Sequence, residues 1–166
     1  MRKIILLLLV SASSHAFANG IHLSPEARLG PYWGSGISGG GIQLGVTDTF
    51  GLDALYLSYS HLSAEFLTDH DRLKTYRIGG QYNLPSTPML GVQLEVGMVD
   101  YEGSRTIFDT QYRQAKGVST AFAWVLDIND NLGFRAGMDL NFISKNKAYL
   151  SSPVSTTFNT GIVLRF

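Results

Sequence analysis

Nine polar residues recur in mostly apolar or aromatic surroundings: Glu26, Arg28, Gln43, Arg77, Gln81, Glu95, Arg135, Asp139 and Arg165. Carboxylates, guanidinia and amides that share a face away from water must pair, because an unpaired buried charge is costly. Fully paired, they make a plugged, salt-bridged interior. Incompletely paired, they line a narrow path for a solute or a proton. A second set is His61, Ser63 and Glu65, alternate positions of one segment. A histidine beside a serine can activate the hydroxyl, and a carboxylate can orient the imidazole. A third set is Arg105, Arg113, Lys116, Lys145 and Lys147. Such groups hold phosphates, Arg as a bidentate fork and Lys as a point charge; otherwise they form an ordinary solvated rim.

Two further patterns carry less. Gly34-Ser-Gly-Ile-Ser-Gly39 matches G-x-G-x-x-G. The dinucleotide motif requires a buried strand before it and a helix after it. Here a strand pattern, Ile42-Gln-Leu-Gly-Val46, follows, so these glycines read as a hairpin turn and small interior residues. His22, His61 and His70 are scattered, and no ligand spacing of known type occurs. No metal and no cofactor is expected.

The elements that must position these groups are strands. Apolar side chains alternate with small or polar ones almost throughout, the period of a sheet with one apolar face. The cleanest case is Leu132, Phe134, Ala136, Met138, Leu140 and Phe142 against Gly133, Arg135, Gly137, Asp139, Asn141 and Ile143. The last stretch repeats it with Val154, Thr156, Phe158, Thr160, Ile162, Leu164 and Phe166. About eight such segments are expected. Asp48–Gly51, Pro85–Pro88 and Asn129–Asn131 read as tight turns. The first intervening connection, Gly34-Ser-Gly36, is short, and 66–72, 103–111 and 144–153 read as polar loops. Short turns on one side and longer loops on the other fit a membrane barrel and would be a coincidence in a soluble sandwich. Aromatic residues gather at strand ends: Trp33, Tyr59, Tyr76, Tyr101, Tyr112 and Phe142 on the outer side, and Tyr82, Trp124, Phe134 and Phe166 on the inner. Two interfacial belts are what a bilayer imposes on amphipathic rings.

Composition agrees. Met1-Arg-Lys3, the apolar run Ile4–Val10 and Ala16-Phe-Ala18 form a secretion signal over 1–18, leaving 19–166 as one domain. The apolar run is well short of the roughly 20 residues of a membrane helix. No Cys is present, which excludes a disulfide framework, a cysteine metal site and a lipoprotein anchor. Without Arg2 and Lys3 the formal charge is about −2, which does not suit a nucleic-acid binder.

With its signal, alternation, turn asymmetry and terminal Phe166, the chain resembles the small eight-stranded outer-membrane proteins of the OmpX, Ail and OmpA membrane-domain type. The resemblance implies an all-β, eight-stranded antiparallel transmembrane up-and-down barrel in the outer membrane of a Gram-negative bacterium. It also implies that Phe166 helps the barrel assembly machinery to recognise the closing strand. His61-x-Ser63 resembles the motif of lipid A deacylases of the PagL type, with His61 as base and Ser63 as nucleophile. In that family the motif lies near the C-terminal end and its Glu stands on the following strand. Lys74, Thr75 and Tyr76 occupy that region here, leaving Glu65, Asp69 or Asp71 as the carboxylate. The expected function is therefore non-enzymatic: a structural or surface-binding barrel with a polar filled interior. Its outer loops would meet lipopolysaccharide or a partner protein. A lipid A-modifying esterase and a narrow solute channel are the alternatives.

Overall fold

A computed structural model describes residues 20–30, 38–66, 69–106, 110–150 and 152–166. Among these, the chain forms β1 (Ile21–Leu29), β2 (Ser38–Thr49), β3 (Leu52–Phe66), β4 (Asp69–Leu84), β5 (Thr87–Thr106), β6 (Thr110–Asn129), β7 (Leu132–Phe142) and β8 (Val154–Arg165). A single 3-10 turn, Lys145–Lys147, precedes β8. Each strand pairs antiparallel with the next, and β8 pairs with β1, so the sheet closes. The amide of Ile21 donates to the Phe166 carbonyl at 2.8 Å, and the Phe166 amide returns the bond at 3.1 Å. Closure satisfies the backbone between strands, the condition for a sheet to stand in lipid. The expected signal over 1–18, Tyr32, Trp33 and the glycines 34–36 lie outside the described residues.

Register turns the alternation into rows around the outside of the barrel. Tyr59, Tyr76, Met98, Val118 and Phe142 are successive cross-strand neighbours on β3 to β7. Below them lie Leu57, Ile78, Val96, Thr120 and Leu140, then Leu55, Gly80, Leu94, Phe122 and Met138. Above them the row is His61, Lys74, Asp100 and Lys116. Chemistry changes within one step, which marks the outer boundary of the lipid-facing band. On β5 that band runs from Leu90 to Met98, matching the roughly 9–11 residues a tilted strand needs to cross a bilayer. Tyr59 and Tyr76 pack ring to ring at 5.2 Å on the outer edge, and Phe122 meets Trp124 edge-on at 5.4 Å.

Three expectations change. Of the segment 66–72, the described residues are strand: β3 runs to Phe66 and β4 starts at Asp69. Likewise 103–111 is mostly strand, because β5 continues to Thr106 and β6 starts at Thr110. Above the bilayer an outward face needs no apolar residues, so strand and loop look alike in composition. Tyr101 and Tyr112 do not join the outer belt. Tyr101 shares the inward parity of Glu95 and Val99 and is only 1% exposed, and Tyr112 stands on β6 six residues beyond Val118, above the apolar band.

β5 and β6 are 20 residues each, against 9 for β1 and 11 for β7. At about 3.3 Å per residue, β3 to β6 rise well beyond the apolar band as a wall on one side of the outer mouth. The opposite end carries tight turns. In the β2–β3 turn Asp48, Phe50 and Gly51 adopt positive φ of 51°, 56° and 76°. Only Gly51 does so without steric cost.

Interior room depends on inward glycines, and Gly79 lies closest to the central charges and Tyr56. A Cβ on Gly79 would lie 2.6 Å from Glu95 Cγ and 2.8 Å from the Tyr56 ring. On the outward Gly80 its close contact would be the flexible end of Leu52, at 2.9 Å, with the Ala54 carbonyl at an ordinary 3.6 Å. Gly79→Val is expected to lower unfolding free energy by about 1–3 kcal/mol through overpacking. Gly80→Val should change it by less than about 0.5 kcal/mol. Urea unfolding in phosphatidylcholine vesicles measures both.

Candidate functional site

All nine sequence-predicted interior groups face inward. Six of them form a closed ring of alternating charge. Glu26 binds Arg28, and Arg28 binds Asp139. Asp139 lies 3.5 Å from Arg77, and Arg77 is 2.8 Å from Glu95. Glu95 lies 3.6 Å from Arg135, and Arg135 returns to Glu26. Every carboxylate thus touches two guanidinia and every guanidinium two carboxylates, with net charge zero. The groups come from β1, β4, β5 and β7, so the ring spans the lumen rather than following one wall.

Further donors reach two of the carboxylates, Asp139 and Glu95. Asp139 accepts from Thr157 and Asn159, both at 2.9 Å. Gln43 donates to Glu95 at 2.6 Å. Arg77 donates to Ser119 at 3.0 Å, and Ser119 donates to Asn141 at 2.7 Å. A second chain runs toward the tight-turn end: Gln93 donates to Gln81 at 2.9 Å, Gln81 to Asn83 at 2.8 Å, and Asn83 to Asp127 at 2.6 Å. Arg165 closes it on Asp127 at 2.8 Å, apart from the central ring. Gln93 reads as inward beside Glu95 from the alternation alone, whereas the sequence does not single out Ser119, Asp127, Thr157 and Asn159 as partners, although each shares the inward parity of its strand.

The outer mouth is closed by other means. Leu62, Leu73, Val99, Tyr101, Ala115 and Ile143 form an apolar layer under the β7–β8 connection, which adds Ala148 and Leu150 to it. The Tyr149 ring lies between two guanidinia, 4.6 Å from Arg105 and 4.4 Å from Arg113. Tyr101 fastens the cap: its hydroxyl donates to Asp71 at 2.5 Å and accepts the Tyr149 amide at 3.0 Å. Arg105 grips Asp71 at 2.7 Å, and Arg113 donates to the Ala148 carbonyl at 2.9 Å. Nothing in the periodicity could flag Tyr149, because the segment that carries it is irregular.

These contacts regroup the basic set. Arg105 and Arg113 are committed to the cap. Lys116 stands in the first polar row above the apolar band, 3.8 Å from Asp100, and Lys74 of the same row is 3.6 Å from Glu102. Lys147 is exposed on the cap, and Lys145 lies in its 3-10 turn. The His61, Ser63 and Glu65 set shares one outward face, as expected. Glu65, however, pairs with His70 at 3.6 Å rather than with His61. Among the described residues no hydrogen bond joins His61 to Ser63. An open cleft of about 380 Å³ lies on the outward face of the wall, lined by Ser63, Glu65, His70, Arg72, Glu102 and Tyr112 among others.

No family model and no curated protein sequence matches the chain. Solved structures do. The N-terminal β-barrel domain of Pseudomonas aeruginosa OprF aligns over 90% of this chain and 98% of its own, with a TM-score of 0.61 and 14% identity. Neisserial surface protein A aligns over 89% and 97%, with a TM-score of 0.63 and 14% identity. The attachment invasion locus protein Ail of Yersinia pestis aligns over 89% and 97%, with a TM-score of 0.66 and 9% identity. Ail in complex with the heparin analogue sucrose octasulfate aligns at a TM-score of 0.57 and 11% identity. The fold is that of the small eight-stranded outer-membrane barrels.

Two outcomes are expected from these contacts. Glu95→Gln leaves Arg77 and Arg135 short of a carboxylate and should cost about 3–5 kcal/mol in urea unfolding. Adding Arg135→Gln restores the charge balance and should recover most of that loss. Replacing both Arg105 and Arg113 by Ala should release the cap and speed trypsin cleavage after Lys147 roughly tenfold or more. Mass spectrometry of timed digests reads that cleavage.

Proposed function

We propose that this chain is a structural, surface-binding barrel of the Gram-negative outer membrane, neither an enzyme nor a pore. In this reading the β3–β6 wall and the cap face the cell exterior. The observation that carries it is the filled lumen: a charge-balanced ring at its centre and an apolar layer beneath a fastened cap. An eight-stranded barrel is just wide enough for side chains to fill, and here they do. Binding is therefore assigned to the outside.

The polar row above the apolar band is the place for lipopolysaccharide phosphates. Lys116 and Lys74 stand there, with Arg72 one row higher. Arg105 and Arg113 serve the cap instead, and Lys147 extends the basic surface on it. Ail has been solved with a polysulfated sugar analogue. The wall here interleaves Glu65, Asp100 and Glu102 with its cations, which favours discrete headgroup contacts over an extended polyanion track. Phe166 and β8 are proposed as the contact for the barrel assembly machinery. The esterase reading finds less support, because Glu65 stands beside His70, Asp69 and Asp71 pair with Arg105, and among the described residues no carboxylate pairs with His61.

Reconstitution into planar bilayers tests the reading. The folded protein is expected to give no stable conductance steps; regular ohmic steps would establish the channel alternative. Lipid A from cells with and without the protein should give identical mass spectra. Loss of an acyl chain that Ser63→Ala abolishes would establish the esterase.

A further inference from the structure

The cleft on the wall has a composition that headgroup binding does not use. It is built from two transverse rows of outward residues. One row is Glu65, His70, Ser104 and Tyr112; the next is Ser63, Arg72, Glu102 and Gln114. Its volume of about 380 Å³ falls in the range of small-ligand clefts, roughly 300–1,000 Å³.

Height decides what Tyr112 is for. It lies six positions beyond Val118 on β6, about 20 Å further along the strand than the last apolar row. An interfacial belt residue belongs at the headgroup level. Tyr112 stands above it, 77% exposed, at one corner of a polar cleft. A large ring held in water next to hydrogen-bonding groups is a stacking platform for a ligand with both apolar faces and polar edges.

Charge decides the kind of ligand. Arg72 and Glu102 are paired at 3.3 Å, and His70 and Glu65 at 3.6 Å. Asp71, on the cleft floor, is held by Arg105. In the two outward rows Arg72 and the His70 imidazole each stand beside a carboxylate, and Arg113, in the floor, turns its guanidinium inward to Tyr149 and the Ala148 carbonyl, so a polyanion gains little net attraction. A hydroxyl-rich ligand can donate to the carboxylate of a pair and accept from its cation, while Ser63, Ser104 and Gln114 add neutral partners.

We infer that this cleft binds an uncharged saccharide, with Tyr112 as the stacking face and the Arg72–Glu102 and Glu65–His70 pairs as the hydroxyl partners. The inference rests on the reading of the wall as external and names its ligand class. The sugar comes either from lipopolysaccharide of the same membrane or from a glycan carried by another surface.

The test uses the whole protein in phosphatidylcholine nanodiscs, free of sugar-headed detergent. Calorimetric titration is made with three probes: core oligosaccharide freed from lipid A, dephosphorylated and carboxyl-reduced so that it is uncharged; maltoheptaose; and sucrose octasulfate. Saturable binding of the core oligosaccharide alone supports the cleft and names the membrane's own sugar as its source. Binding of maltoheptaose as well supports a site open to foreign glycans. In either case Tyr112→Ala and Glu102→Gln should each weaken binding about tenfold while the barrel keeps its heat-modifiable gel migration. No binding of either neutral probe, tighter binding of the octasulfate, or binding unaffected by Tyr112→Ala would overturn the inference. A conducting protein that still binds sugar would instead fail the non-pore reading and leave the cleft standing.

Discussion

Six charged side chains must find one another inside a tube, and much of this structure follows from that constraint. Each ion would cost several kcal/mol if left without a partner in a poorly hydrated lumen. The ring Glu26–Arg28–Asp139–Arg77–Glu95–Arg135 gives each of them two. Its members come from strands far apart in sequence, so it forms only when β1, β4, β5 and β7 surround the same space. A one-residue slip in any of them would turn its charge toward lipid. The ring therefore acts as a register check that an apolar filling could not supply, whatever its net contribution to stability.

The same alternation lets a membrane protein travel as a polar chain. Mean hydropathy is only +0.07, although half the positions of the spanning segments face lipid. Inward charges and amides dilute each strand below the continuous apolar run of a membrane helix. Once the barrel closes, those groups are hidden and the outward rows make a continuous apolar belt. The outer boundary of that belt is drawn by one register step, from Tyr59–Tyr76–Met98–Val118 to His61–Lys74–Asp100–Lys116. Above it the constraint on the outward face lifts, and β3 to β6 continue with residues of any polarity.

That lifting explains what could be read in the sequence and what could not. Within the bilayer, parity sorted inward from outward residues correctly, down to Arg165 and Ile143. Above it, 66–72 and 103–111 look like loops because polar strands and polar loops share a composition. Tyr101 sits near a strand end, which suggests the outer belt, whereas its parity with Glu95 and Val99 points inward. Inward groups were legible singly, but their partners were not: pairing Arg28 with Asp139 requires the register of the whole barrel. Arg105 and Arg113 look like free rim cations until the cap is seen, and the Tyr149 between them has no periodic signal. His61 and Ser63 do share a face, but strand pairing gives the nearby carboxylate to His70 instead.

The two ends of the lumen are closed by opposite chemistries, and this asymmetry links the interior to the exterior. Toward the tight turns the plug is polar, a relay of amides from Gln93 to Asp127 and Arg165. Toward the wall it is apolar, with Ala148 and Leu150 buried over Leu62, Leu73 and Val99. Water that reaches the amides meets groups that can solvate it, whereas water above the ring meets a layer that cannot. The cap is held by cation–π and charge-assisted contacts from the same strands that form the wall, Arg105 from β5 and Arg113 from β6. Asp71 is shared: it anchors Arg105 and Tyr101 beneath the cap and forms part of the floor of the outward cleft. A sealed lumen and a rigid external surface are thus consequences of one set of contacts. The wall can present a fixed cleft because the cap behind it is fastened.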